Sequence, residues 1–461
     1  MSGAMLFIKE DLKITDVQVE VLAGILNLCA LAGSLTAGRA SDWIGRRYTI
    51  VLASVIFFLG GILMGLAPSY AILITGRCVA GVGVGYALMV APVYSAEISS
   101  PSSRGFLTSM PEICISLGIL LGYISNYLFA KLPLMYGWRT MLGIGALPSM
   151  MLAIGIFAMP ESPRWLVMQG RLKEAKEVLL KVSNSKDEAE SRLQEIKKAA
   201  GIDGSCVDDA VEKPRRTRGE GVWKELLLRP TPPVRRILIA AIGIHFFEHA
   251  TGIEPVVLYS PRIFKMAGID SKNKLLIATM GVGLTKTSFI LVATFLIDKV
   301  GRRPLLLTSV GGMIVSLSGL GFGLTVVEHS EEKLVWALAL SIACLISFVA
   351  FFSVGLGPIT WVYSSEIFPL RLRAQGASLG VAVNRLMNGT ISMTFISLYK
   401  AITIGGSFFL FAGLAVLAWL FFFFFFPETR GRSLEEMEEV FSNGSCRLST
   451  RPVTRDDCEM N

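Results

Sequence analysis

The residues of this sequence that could do chemistry lie in short charged connectors between apolar runs and in polar side chains inside those runs. The densest connector, at 38–47, reads G-R-A-S-D-W-I-G-R-R and sits between apolar runs at about 17–37 and 48–67. It returns at 298–303 as D-K-V-G-R-R, again between two apolar runs. Plain basic stop-transfer loops would need only charge, whereas here Asp, Gly and Arg recur at matching spacing. Two copies of a charged hinge point to a duplicated membrane protein. The chemistry on offer is ion pairing and hydrogen bonding. No nucleophile–base set or metal-ligand spacing stands out, so neither an enzyme nor a bound metal or cofactor is expected. The seven cysteines (29, 78, 114, 206, 344, 446 and 458) form no C-x-x-C pair, which argues against metal or disulfide chemistry.

Composition says what must position these groups. Of 461 residues, 52% are hydrophobic and 17% charged, and the mean hydropathy is +0.57, outside the usual range of a soluble globular chain. A membrane-spanning helix needs about 20 mostly apolar residues. About eleven such runs occur, near 17–38, 48–67, 71–95, 107–130, 138–159, 236–261, 274–297, 304–327, 334–363, 374–399 and 402–426. Backbone groups in lipid must be satisfied within the segment, and the runs lack barrel-strand alternation, so they read as helices. The net charge of +8 lies in the connectors, which indicates a lipid bilayer rather than nucleic acid as the partner.

The expected fold class is therefore all-α: a polytopic membrane protein in two halves. Residues 1–159 form an amino-terminal transmembrane half, 160–235 a linker, 236–426 a carboxy-terminal half and 427–461 a tail. Within the linker, Ala175, Val178, Leu179 and Val182 fall at helical spacing and predict short surface helices. Residues 201–221 read as a flexible linker and the tail beyond 441 as disordered. Arg39, Arg46, Arg47, Arg104, Arg302, Arg303, Arg371 and Arg373 occupy alternate connectors, which puts that side and the linker in the cytoplasm. The duplication extends further: Y-S-A-E-I at 94–98 returns as Y-S-S-E-I at 363–367, and P-E-S-P-R at 160 as P-E-T-R-G-R at 427. Such halves place a substrate path between them. Glycines 76, 81, 83 and 85 lack a βαβ context and read as helix-packing positions. The phenylalanine run at 421–426 reads as lipid-facing bulk.

These motifs together resemble the sugar porter family of the major facilitator superfamily. They are G-R-x-S-D-x-x-G-R-R, G-R-x-x-x-G-x-G-x-G at 76–85, P-E-S-P-R-W-L, D-x-x-G-R-R, G-P-x-x-W at 357–361 and P-E-T-R-G. Within that family the chain is most similar to plant polyol/monosaccharide transporters, through the segments at 111–123, 256–264 and 357–368. The resemblance implies alternating-access transport of a polyol or monosaccharide, with a proton as co-substrate, in a multi-pass membrane protein of the plasma membrane rather than the tonoplast. An uncoupled facilitator and an inactive or sensor truncated isoform are the alternatives.

By motif position the resemblance carries over Glu112, Glu248, His249, Glu254, Trp361, Asn384 and Asn388 as substrate-binding positions. Sugars and polyols need many hydrogen-bond partners and an apolar surface for their C–H faces. The chain departs from the family here: hexose carriers usually show Gln where this chain has Glu112, Glu248 and His249, and Arg385 stands where some relatives have Trp. Glu248 and His249 are expected to titrate as a coupled pair. The resemblance also implies a cytoplasmic gate built from Arg39, Asp42, Arg46, Arg47, Glu97, Arg104, Asp298, Arg302, Arg303, Glu366 and Arg373.

The chain opens at M-S-G-A-M, where the family has the end of its first transmembrane helix. The resemblance implies that relatives carry just upstream an aspartate that exchanges the coupling proton and is partnered by the arginine corresponding to Arg77. The expectation is that the first helix is truncated and Arg77 unpaired. The sequence as given would then transport weakly and without proton coupling, while the full-length form would be a symporter.

Overall fold

A computed structural model describes residues 2–99, 104–200, 223, 226, 230–266, 268, 271–330, 334–369 and 372–430. The amino-terminal half comprises α1 (Ala4–Leu12), α2 (Asp16–Ile44), α3 (Arg46–Gly65), α4 (Tyr70–Ile98), α5 (Arg104–Phe129), α6 (Leu134–Gly143) and α7 (Ala146–Gly155). Three short helices follow: α8 (Pro163–Met168), α9 (Leu172–Val182) and α10 (Lys186–Ala199). The carboxy-terminal half comprises α11 (Pro232–Ala250), α12 (Ile253–Met266), α13 (Lys272–Val300), α14 (Arg302–His329), α15 (Val335–Val354), α16 (Leu356–Glu366), α17 (Arg373–Ile402) and α18 (Ile404–Phe425). The expected linker at 201–221, the tail beyond 430, Arg371 and the side chains of Arg104 and Asp298 lie outside the described residues.

Among the described residues, ten segments are long and apolar enough to cross a membrane. Three of them are broken helices: α6 with α7, α11 with α12, and α15 with α16. The second break falls at Thr251 and Gly252, where Gly252 takes φ +86, and the third at Gly355. An eleventh helix, α17, is also of membrane length and covers the run expected at 374–399, but it is less apolar. Its 30 residues span about 45 Å, but its inward face carries buried Gln375, Ser378, Asn384, Asn388 and Ser392. Residues 236–261 and 334–363 were each expected as one span, and each contains such a break. The helical segment of the first begins at Pro232, four residues early, because two prolines suit the first turn, where no N–H partner is needed.

Small residues set the packing of the first half. A side chain at Gly81 or Gly85 of α4 would strike the Leu26 or Ala30 carbonyl of α2, and one at Gly83 would strike α3. The two halves meet along two seams, α2 against α17 and α5 against α13. The phenylalanine run is not uniformly lipid-facing. Phe422 and Phe426 are buried, and Phe426 stacks on Tyr363 with ring centroids 3.7 Å apart. Helical periodicity turns every third or fourth residue inward even in an all-apolar run.

Helices α8–α10 hold a small apolar core of their own, including Trp165, Leu166, Ala175, Leu179, Leu193 and Ile196. Ser162 caps α8 and Ser185 caps α10. The unit is fastened to the first half: Trp165 Nε1 donates to the Asp42 carbonyl, and Arg192 to the terminal carbonyls of α4, Ile98 and Ser99. A cation there also complements the negative end of α4.

Candidate functional site

A cavity of about 520 Å³ opens between the halves, walled by both. Of the seven expected substrate positions, Glu112, Glu248, His249, Glu254, Trp361 and Asn388 line it. Asn384 stands behind the wall with no exposed surface, and its amide donates to Glu248 Oε2 at 2.5 Å. That amide also lies 3.2 Å from His245 Nδ1, so His245 presents its lone pair there.

Glu248 and His249 do not pair with each other. Successive residues of a helix point about 100° apart, so they face different neighbours. Glu248 meets Asn384 and His245, whereas His249 Nδ1 lies 3.4 Å from Glu254 Oε1 on α12. The opposite ring nitrogen, Nε2, faces Arg385 NH2 at 3.4 Å. A guanidinium only donates, so in this contact His249 Nε2 is the acceptor.

Arg385 organises one wall. It donates to Asn384 Oδ1 at 2.8 Å and to Asn27 Oδ1 at 3.2 Å, and Asn27 Nδ2 in turn reaches Asn388 Oδ1 at 2.6 Å. Asn27 is on α2 and Asn388 on α17, so this chain of bonds crosses from one half to the other. Elsewhere in the lining Lys286 Nζ lies 3.3 Å from Glu112 Oε1, joining α13 to α5. Tyr123 donates to the Val257 carbonyl at 2.6 Å, tying α5 to α12. Phe57, Phe352 and Trp361 supply apolar surface. Among the described residues, the Trp361 indole N–H has no acceptor.

Lys286, Arg385, Asn27 and Tyr123 were not among the expected site residues. Lys286 carried a signal: it is a charge deep inside an apolar run, where a cation costs at least about 2.5–3.5 kcal/mol unless it has a task or a partner. Arg77 lies elsewhere. It is buried and donates to the Leu22 and Ala23 carbonyls of α2, at 3.1 and 3.3 Å. No described carboxylate pairs with it.

The charged hinges converge at one end of the molecule, here the hinge end. Arg46 is buried between Glu97, Nε to Oε2 at 3.0 Å, and Asp42, NH1 to Oδ1 at 3.1 Å. Ser162 donates to Glu97 at 2.6 Å. Glu161 accepts from the backbone N–H groups of Arg46 and Arg47 at the start of α3. Burial pushes this carboxyl up, while the amides of Ser162, Arg47 and Arg46 and the Arg46 charge oppose that rise. The second half repeats the pattern: Arg302 NH2 meets Glu366 at 3.2 Å, Thr429 donates to Glu366, and Glu428 accepts from the N–H groups of Arg302 and Arg303. Arg47 and Arg303 donate to the Phe157 and Phe423 carbonyls. Arg373 is buried and bonds the Phe368 carbonyl. Arg39 is exposed and takes no part among the described residues. Two bonds cross between halves here, Gln375 to Asp42 and Ser378 to the Ser34 carbonyl.

At the far end Asp16 holds three cations: Lys9 at 2.6 Å, Lys400 at 3.2 Å and Arg262 at 3.7 Å. Glu20 accepts from Ser397 N at 3.1 Å. Lys400, Arg262 and Ser397 belong to the other half, so the α2–α17 seam is fastened at both ends around the cavity.

Two duplicated helical halves, a polar cavity between them and ion pairs at the ends describe a membrane transporter rather than an enzyme. The comparisons agree. A family model described as "Sugar (and other) transporter" matches residues 6–441, and the chain belongs to that family, within the major facilitator superfamily. It is 69% identical over 442 residues to "Probable polyol transporter 6" of Arabidopsis thaliana, covering 96% of this chain and 90% of that protein. It is 64% identical over 443 residues to "Polyol transporter 5" of the same plant, covering 96% and 82%. Among solved structures, the proton:xylose symporter XylE bound to 6-bromo-6-deoxy-D-glucose superposes with a TM-score of 0.82 at 26% identity, covering 95% of this chain and 94% of that one. The score is 0.70 for the inward-open xylose transporter XylE from E. coli, at 25% identity and coverage of 95% and 94%. The present arrangement is thus less like that inward-open form. The chain is a multi-pass membrane protein.

Proposed function

We propose that this chain carries a polyol or monosaccharide across the plasma membrane by alternating access, in symport with a proton and with the hinge end in the cytoplasm. The observation that carries the reading is the cavity between the halves, lined by donors, acceptors and aromatic faces and fastened at both ends of one seam. Binding in such a cavity biases the two conformations by its differential affinity for them. The relatives' printed names, polyol transporters and a proton:xylose symporter, support the substrate class and the coupling.

The second reading is uncoupled facilitation of the same solutes. Uptake of radiolabelled polyols and monosaccharides in a transport-deficient host separates the readings. Uptake that collapses with an uncoupler supports symport, and uptake that persists supports facilitation. Binding without flux would establish a sensor instead. Sidedness is tested by a cysteine at Ser185, which should resist an impermeant thiol reagent in intact cells. A second at Ser445, outside the described residues, should behave alike.

A further inference from the structure

Glu112 and Lys286 form a pair that the polar wall around Arg385 does not need. Their side chains are 5% and 8% exposed, they meet at 3.3 Å, and both border the cavity. An ammonium has three donors and a carboxylate about four acceptor sites, so their one mutual contact among the described residues leaves most of that capacity unspent. The Lys286 Nζ also stands 5.8 Å from the Phe352 ring centroid, a weak cationic contact beside an apolar surface. The same cavity is bordered by a second polar group, Arg385 with Asn27 and Asn388. The site thus has two polar groups, one carried by α5 and α13 and one by α2 and α17, and the Glu112–Lys286 pole is charged on both partners.

The chemistry of the poles separates two kinds of hydroxyl-rich ligand. An open-chain polyol freezes several C–C torsions on binding, a cost that a ring sugar largely avoids. Hydrogen bonds to ionised groups are roughly twice as strong as neutral ones, so charged poles can offset that cost where amides would not. A flexible chain can also rotate successive hydroxyls to donate to Glu112 and accept from Lys286, whereas a pyranose ring holds its hydroxyls at fixed angles. We propose that the Glu112–Lys286 pair is a hydroxyl-binding pole that selects an acyclic polyol over a ring sugar of the same carbon number. This rests on the reading of the chain as a carrier of polyhydroxylated solutes.

The test is calorimetric binding of sorbitol and glucose to the purified full chain in nanodiscs. The parent should bind sorbitol more tightly than glucose. Glu112→Gln with Lys286→Gln leaves no orphaned charge and should lower sorbitol affinity about tenfold or more, while glucose affinity moves less than about threefold. Lys286→Arg keeps the charge and should keep the preference; it decides the matter if the double variant binds neither ligand. A parent that binds glucose as tightly as sorbitol overturns the proposal, as does a preference that survives the double variant or vanishes in Lys286→Arg. A parent that binds neither ligand overturns the carrier reading itself.

Discussion

Asp42 and Gln375 come from opposite halves and meet at 2.5 Å, carboxylate to amide, at the hinge end of the α2–α17 seam. The same carboxylate is held by Arg46, which is buried against Glu97. One aspartate therefore links an ion network internal to the first half with the surface of the second. When the halves part at this end, the bond to Gln375 breaks and the bond to Arg46 can remain.

Gln375→Ala should favour the hinge-open conformation. A hydrogen bond to a charged group contributes about 1.5–3 kcal/mol when shielded, and its partial burial here suggests the lower end, a shift of about tenfold in the open-to-closed ratio. Distances between spin labels across the hinge end would report it. An unchanged distance distribution would remove Gln375 from the gate.

Asp16→Asn should act in the opposite direction and more weakly. Its side chain is 31% exposed and its lysine partners about half exposed, so each pair contributes only about 0–1 kcal/mol. Loss of the clasp should ease opening at the far end, and raising the salt concentration should mimic it in the parent. A far-end distance that ignores both the substitution and salt would show that Glu20 and Ser397 hold that end alone.

The duplicated hinge was legible in the sequence because it is local: the six residues D-W-I-G-R-R return as D-K-V-G-R-R, with Asp, Gly and both Arg at the same spacing. The partners of those residues were not. Gln375 lies 333 positions from Asp42, and Glu161 lies 115 from Arg46; only the packing of helices brings them together. The same limit applies in the cavity. Glu248 and His249 are neighbours in sequence, yet the turn of α11 sends one to Asn384 and the other to Glu254. Lys286 was readable as an intramembrane charge but sat outside the motifs that drew attention. Helix α17 was legible as a run at 374–399, but which of its residues form the buried polar face was not.

Glu161 should give the hinge end a pH dependence. Burial raises this carboxyl above its ordinary value of 4.5, so the folded state holds its proton more tightly than the unfolded chain does. Its contribution to stability is then complete below that ordinary value and is lost as the pH rises through the raised one. Glu161→Gln keeps an acceptor for the α3 amides and removes the titration. The thermal midpoint of the parent should fall relative to Glu161→Gln as the pH rises above 4.5. Parallel curves would mean that the amides of Arg46 and Arg47 cancel the effect of burial.

The hinge glycines offer the sharpest comparison between the two halves. Gly45 and Gly301 precede α3 and α14 at φ +94 and +104, a region costly for residues with a side chain. A Cβ at Gly45 would come within 2.4 Å of Glu161 Oε2, and one at Gly301 within 2.8 Å of Glu428 Oε2. Alanine at either site should destabilise the protein by about 1–3 kcal/mol from backbone strain alone. Gly45→Ala should cost more, because its Cβ would press harder on its carboxylate than that of Gly301→Ala. Glu161→Ala removes the clashing oxygen, so Gly45→Ala combined with Glu161→Ala should be less damaging than the sum of the two single variants. Thermal unfolding of the four proteins measures this coupling. Strict additivity would show that Gly45 is required by its backbone angle and not by the carboxylate it admits.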